Sequence, residues 1–227
     1  MKTLGLIGGM SWVSTAHYYR LINELVADRL GGLHSAPILL ASVDFAEIEE
    51  FKLDGDWDAV ARRLTDAGCG LEAAGADAIV LCTNTMHYVA AAIEDAVAIP
   101  FLHIADTTAR AVAAAGLSRV GLLATAFTME QSFYVSRFAA YDVEVVTPEA
   151  EDRREVSRII YDELCHNVVR DESRAVYREV VDRMAGVQGV ILGCTEVELL
   201  IGADDVAVPV FPTTLLHVQA AVDFALS

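Results

Sequence analysis

Two short stretches hold the residue types that could do chemistry. Cys82-Thr83-Asn84-Thr85-Met86-His87 follows the apolar run Ala78 to Leu81, and Gly193-Cys194-Thr195-Glu196 follows the apolar run Val190 to Leu192. Each time, an apolar segment delivers Cys-Thr into a polar turn ahead of a helical pattern. The carboxyl ends of parallel strands are where helix amino termini and loop amides converge on ligands. Taken singly, either thiol could be an inert core cysteine. As a pair on opposite sides of a cleft, they suit one reaction well. One thiolate removes a proton from a tetrahedral carbon, the other sulfur, still protonated, delivers one to the opposite face, and the carbon inverts. Helix amino termini and amides are expected to lower a thiol pKa enough for this near neutrality. An amino-acid α-carbon is an obvious target. Pyridoxal phosphate, the usual cofactor for such chemistry, needs a Schiff-base lysine. The only lysines are Lys2, at the terminus, and Lys52, which has no supporting motif. A route without cofactor fits the residues better.

The elements that must position these thiols recur along the chain. After Cys82 comes Ile99-Pro100-Phe101-Leu102-His103-Ile104-Ala105-Asp106-Thr107-Thr108, and after Cys194 comes Val208-Pro209-Val210-Phe211-Pro212-Thr213-Thr214. Upstream, Leu4-Gly5-Leu6-Ile7-Gly8 resembles Val120-Gly121-Leu122-Leu123-Ala124. Three landmarks in the same order read as an internal duplication. Strands alternating with helices predict parallel sheets with right-handed crossovers. The expected fold is therefore α/β, with two pseudo-symmetric lobes, each a parallel sheet flanked by helices, and the active site between them. The first lobe is expected over 1–105 with the returning helix 212–227, the second over 106–211. In the first lobe, Ser14 or Thr15 is expected to cap a helix running to about Leu30. Another helix is expected over roughly Met86 to Val97. In the second lobe, a turn is expected at Ala126-Phe127-Thr128, then helices over Arg154 to Arg170 and Glu172 to Ala185 with solvated, mixed-charge faces. The last helix is expected from Thr213 to Leu226, packing back on the first lobe.

Composition narrows the function classes. The 227 residues are 54% hydrophobic, enough for a sizeable core, and no apolar run reaches membrane-span length. The chain enters a strand at once, without a basic region or cleavage pattern, so a cytoplasmic protein is expected. A formal net charge of −17 argues against nucleic acid and acidic membranes as partners. In that compartment the four cysteines read as thiols, with Cys69 and Cys165 as packing residues inside helical segments. Gly8-Gly9 at the first strand-to-helix turn invites a dinucleotide reading, but the full glycine spacing is missing. A zinc site from Cys82, Cys194, His87 and Glu196 lacks a ligand spacing, and no metal is expected.

Gly8-Gly9-Met10-Ser11-Trp12, Cys82-Thr83-Asn84-Thr85-Met86-His87, Leu122-Leu123-Ala124-Thr125, Tyr161-Asp162-Glu163-Leu164 and Gly193-Cys194-Thr195-Glu196 together resemble the aspartate/glutamate racemase family, and within it the aspartate racemases. The resemblance covers nearly the whole chain. It implies a cofactor-independent amino-acid racemase acting on aspartate, glutamate or a relative, with Cys82 and Cys194 as the acid/base pair. It also implies a homodimer and a small-molecule amino-acid substrate held by Met10, Ser11, Thr83, Asn84, Thr85, Thr125 and Thr195. His87 reads as a turn-bonding or Cys82-supporting residue, with a Cys/His hydrolase as the other option. Glu196 reads as a modulator of Cys194 or a cap on its own helix. Two positions depart from the family: Val13 stands where an acid usually follows Gly-Met-Ser-Trp, and Pro212 where the last helix usually begins Asp-Thr-Thr. These leave room for an unusual substrate or a catalytically silent amino-acid-binding protein. A related isomerase or decarboxylase is a further option, although retention of both cysteines favours racemisation. Arg170 is the candidate for a substrate side-chain carboxylate, against a surface helix-end arginine.

Overall fold

The computed structural model describes residues 1–227. The chain divides into two compact units, Met1–Ile104 with His217–Ser227, and Ala105–Leu216. In the first unit, β1 (Leu4–Gly8), β2 (Ile38–Ser42), β3 (Ala78–Leu81) and β4 (Phe101–Leu102) form a parallel sheet in the order β2-β1-β3-β4. Every residue of β1 and β3 is buried, while the edge strand β2 is half-exposed. Unbroken apolar runs such as Ala78–Leu81 have this origin: both faces of the strand are covered.

Side-chain alternation sorts those runs onto two layers. Ile7, Ile79 and Leu81 pack with Val60, Leu64 and Leu71 of α3 (Trp57–Ala73) and Ile93 of α4 (Ala90–Ala96). Leu4, Leu6, Val80 and Cys82 face the other way. They pack with Tyr18, Ile22 and Val26 of α1 (Trp12–Leu30) and with Val218, Ala221 and Val222 of the last helix, α10 (Thr213–Leu226). Each fully buried Leu or Ile contributes about 2 kcal/mol to holding these layers together. α2 (Phe45–Leu53) precedes α3, and the break between them falls at Asp54-Gly55-Asp56, where Asp56 caps α3.

The second unit repeats the plan. β5 (Arg119–Leu123), β6 (Glu144–Val146), β7 (Val190–Leu192) and β8 (Val210–Pro212) are parallel in the order β6-β5-β7-β8. Its helices are α5 (Ile104–Ala114), α6 (Ala126–Glu130), α7 (Ser132–Ala139), α8 (Ala150–Asp162) and α9 (Asp171–Arg183). The same strand order in both units matches the duplication read from the sequence. Arg183 pairs with Asp152 at 2.8 Å and Arg158 with Glu155 at 2.8 Å, which gives α8 and α9 charged outer faces. No helix is long and apolar enough to cross a membrane.

Four local expectations are corrected. Ser11, not Ser14 or Thr15, caps α1, because Ser14 and Thr15 are already buried inside its first turn. Ala126-Phe127-Thr128 is not an open turn but the start of α6, capped by Thr125. The segment after Cys82 is a 3-10 turn, Thr85–Val89, before α4 begins at Ala90. The long helix expected to reach Arg170 ends at Asp162. A 3-10 turn, Leu164–His166, and a left-handed Asn167 (φ 58°) follow.

Candidate active site

In the first unit, strand register brings two turns to one sheet edge. Ile7 lies beside Leu81, so the turn that follows Gly8, the last residue of β1, and the turn that begins at Cys82 start side by side. The Cys82 N–H donates to the Ile7 carbonyl at 2.9 Å. The turn after β1 is shaped by close approach. A Cβ on Gly9 (φ 99°) would lie 2.2 Å from the Val43 carbonyl oxygen, and one on Gly8 would lie 2.4 Å from Thr15 Cγ2. Packing therefore accounts for the glycine pair without a phosphate. The Gly9 N–H donates to Thr15 Oγ1 at 2.8 Å, and that hydroxyl donates to the Ser11 carbonyl at 2.9 Å. Ser11 Oγ accepts from the Ser14 N–H at 3.3 Å. Met10 is buried beside them, and Val13 is half-buried in the first turn of α1.

Cys82 is two residues beyond Val80 and shares its face. Its thiol is fully buried in the apolar layer between sheet and α1/α10, 3.7 Å from the Val80 carbonyl oxygen. Thr83, Asn84 and Thr85 follow it, all buried. His87 is locked by its own fold. The Ile104 N–H donates to Nε2 at 3.2 Å, so Nε2 must be unprotonated, and Nδ1–H then donates to the Thr83 carbonyl at 2.7 Å. A ring fixed in this tautomer by two backbone groups organises the Cys82 turn and is not set up as a base for a hydrolase.

The second unit makes the matching edge from β5 and β7. Leu123 lies beside Leu192, and the Gly193 N–H donates to the Leu123 carbonyl at 2.7 Å. Thr125 and Cys194 thus leave adjacent strands together. Thr125 Oγ1 accepts from the Thr128 N–H at 3.4 Å as the cap of α6. Cys194 is half-buried, and its thiol donates to Glu196 Oε2 at 3.0 Å. Thr195 and Glu196 are buried. Glu196 holds the N-cap position of the 3-10 turn Val197–Leu199 but makes no side-chain capping bond there. Of its two sequence readings, the geometry supports contact with Cys194.

Electrostatics corrects the expected thiol acidity. Burial raises the Cys82 thiol above the ordinary cysteine value. Cys194 is raised too, first by burial and then by the negative charge of Glu196. The elements after both cysteines are 3-10 turns, too short to build the dipole that a full helix would direct at a sulfur.

Other candidates fall outside this geometry. The Arg170 side chain is 60% exposed and lies 3.8 Å from Glu163, which makes it a surface helix-end arginine. Lys2 donates to Ser227 Oγ at 2.8 Å, and Lys52 pairs with Glu49 on α2. Cys69 lies in α3 and Cys165 in a 3-10 turn. Two residues escaped the sequence reading. His217, on α10, is fully buried: its Nε2–H donates to the Leu102 carbonyl at 2.6 Å and its Nδ1 accepts from the Tyr18 hydroxyl at 3.0 Å. Its only signal was a lone histidine on an apolar helix face. Glu198 sits two residues beyond Glu196, and Oε1 accepts from the Thr214 N–H at 2.8 Å. The acid pair Glu196-Val197-Glu198 was its signal.

The family profile of Asp/Glu/hydantoin racemases matches residues 7–221. A Yersinia pestis protein provisionally named an Asp/Glu racemase has a similar solved structure, at 53% identity and a TM-score of 0.94 over 100% of both chains. An aspartate racemase homologue from Pyrococcus horikoshii is similar at 31% identity and a TM-score of 0.89, again over 100% of both chains. The aspartate racemase of Picrophilus torridus is 20% identical, with a TM-score of 0.77 over 99% of this chain and 94% of that one, a likeness of fold.

Proposed function

Since the chain belongs to the Asp/Glu/hydantoin racemase family, we propose that it is a cofactor-independent amino-acid racemase with Cys82 and Cys194 as its acid/base pair. The observation that carries this reading is the repeated placement of the thiols. The third strand of each unit, β3 and β7, occupies the same place in a sheet of the same order and runs into Cys-Thr at its carboxyl end. The substrate is aspartate, glutamate or a related amino acid. The same reading gives substrate binding, mostly of the α-carboxylate, to Met10, Ser11, Thr83, Asn84, Thr85, Thr125 and Thr195.

One sulfur, as thiolate, takes the α-proton. The carbanion takes the proton of the opposite thiol on its other face, leaving that sulfur as thiolate and the α-carbon inverted. Both thiols are raised by burial, so the base has to be formed on binding. A substrate ammonium within several ångströms favours a neighbouring thiolate by direct charge attraction. Neither lysine is placed to form a Schiff base, which supports a route without pyridoxal phosphate. Work in the cytoplasm as a homodimer belongs to the same reading, and sedimentation of the purified chain checks the dimer.

The test is α-proton exchange in deuterated water. Wild-type enzyme is expected to put deuterium into the product enantiomer from the first turnovers. Cys82→Ser and Cys194→Ser are each expected to abolish racemisation, since a serine hydroxyl is too weak an acid or base at neutral pH. Any exchange left in the two variants should fall on opposite enantiomers. A substantial racemase rate in either variant would remove that cysteine from the mechanism. One observation favours a second reading, a catalytically silent amino-acid-binding protein: Cys82 is fully buried among apolar side chains. Thermal shifts with amino acids but no change in optical rotation would select it.

A further inference from the structure

The turn after Cys194 has few bonds of its own. Val197–Leu199 is a 3-10 turn of 3 residues, and Glu196 at its N-cap makes no side-chain capping bond. Two backbone bonds run through it in series. The Val197 N–H donates to the Cys194 carbonyl at 3.1 Å, and the Leu200 N–H donates to the Val197 carbonyl at 2.9 Å. Short 3-10 pieces have poor hydrogen-bond geometry, so neighbouring elements have to hold such a turn in place. α10 supplies one contact, from the Thr214 N–H to Glu198. α9 supplies the other. Arg174 Nη1 donates to the Leu200 carbonyl, at the far end of the series that starts on Cys194. The same nitrogen lies 3.4 Å from Asp205, and Arg178, four residues along the same face of α9, reaches Asp205 at 2.5 Å. Asp205 Oδ2 also accepts from the Gly202 N–H at 2.9 Å, which folds the chain beyond Leu200 around the two arginines.

We propose that Arg174 and Asp205 are positioning residues for Cys194: together they brace the turn after the thiol against α9, so that Cys194 keeps its place at the end of β7. The helix is firm enough to brace against. Its buried Tyr177 hydroxyl donates to the Val156 carbonyl of α8 at 3.1 Å, and its buried Ser173 hydroxyl donates to Glu163 at 2.6 Å. The brace is more than a surface ion pair. The Asp205 side chain is only 14% exposed, and each partner also bonds a backbone group of the segment it holds. Removing Arg174 leaves the Leu200 carbonyl without its charged donor and takes one cation from Asp205. The consequence for catalysis rests on the racemase reading, but the brace itself does not.

Iodoacetamide labelling of the full chain, followed cysteine by cysteine by mass spectrometry at one fixed pH, tests this without any turnover. A half-buried thiol that reacts through transient opening reports how often its turn opens. Arg174→Ala is expected to raise the Cys194 rate about tenfold, with Cys69 in the first unit unchanged. Asp205→Ala should raise it less, about threefold, because Arg174 keeps its bond to Leu200. The double variant should label no faster than R174A, since both residues act through one brace. Arg174→Lys keeps a donor for the Leu200 carbonyl and should stay within about twofold of wild type. Arg183→Ala removes a pair to Asp152 at the other end of α9 and should leave Cys194 unchanged. A wild-type Cys194 rate in R174A would overturn the proposal, as would R174K labelling as fast as R174A. An equal rise in R183A or at Cys69, the mark of general loosening, would overturn it too. If labelling behaves as expected in a chain that turns over no amino acid, the racemase reading falls and the brace stands. If the chain racemises while R174A labels like wild type, the brace alone falls.

Discussion

At the scale of single residues, each cysteine follows the third strand of its own unit, but their surroundings differ. Cys82 belongs to a buried apolar cluster with Leu4, Leu6, Tyr18 and Val218, while Cys194 donates to a carboxylate. Both surroundings disfavour the thiolate, one through burial and the other through burial and then like charge. A base with a raised pKa is available only at higher pH, so the rising limb of kcat/KM should lie on the alkaline side of the ordinary cysteine value of about 8.5. The measurement is the pH dependence of racemisation at low substrate. A rising limb centred near neutrality would mean that an unidentified group lowers one thiol. His87 is not that group, because backbone partners occupy both of its ring nitrogens.

At the scale of elements, the sequence made the sheets legible through unbroken apolar runs, and it made the repeat legible through Cys-Thr after the third strand of each unit. Both depend on burial, which leaves a clear mark on residue type. Cap positions were less legible. Ser11, Ser14 and Thr15 are all competent caps, and only packing decides that the last two lie inside the helix. The 3-10 turn after Cys82 was hidden because Met86 to Val97 has helical composition throughout, whereas the bonds His87 makes to Thr83 and Ile104 shape the first turn differently. Glu198 was hidden because its partner, the Thr214 amide, lies in another element. The turn after β1 offers a direct test at this scale. Gly9→Ala sets a methyl 2.2 Å from a backbone carbonyl at a positive φ, so neither side can yield cheaply. A loss of about 2–4 kcal/mol is expected in urea unfolding. Gly55→Ala also has a positive φ but open space around it, and should lose only the backbone penalty of about 1 kcal/mol. Equal losses would mean that close approach to Val43 does not shape the turn.

At the scale of the whole molecule, His217 in the first unit and Glu198 in the second act on stability in opposite directions as pH changes. In the first unit, burial holds His217 down to about 4 from its ordinary 6.5. The fold requires the neutral ring, so its contribution is complete above about pH 6.5 and is lost as pH falls toward 4. In the second unit, burial raises Glu198 from 4.5 to about 7. The fold requires the neutral acid, so its contribution is complete below about pH 4.5 and is lost as pH rises through 7. Each shift corresponds to about 3 kcal/mol, and the two run in opposite directions across the same window. Their sum in the wild-type chain should therefore be nearly flat between about pH 4.5 and 7. Removing either group should expose the other. Relative to wild type, Glu198→Gln should gain stability as pH rises through the window, and His217→Gln should lose it, each by about 2 kcal/mol in urea unfolding. The acidic background of −17 is nearly common to all three chains and drops out of the difference. Hydrogen exchange adds location. The His217→Gln effect should appear in the amides of β1 and β3, and the Glu198→Gln effect in those of β5 and β7. If both variants changed with pH in the same direction, the opposition between the two buried groups would be refuted.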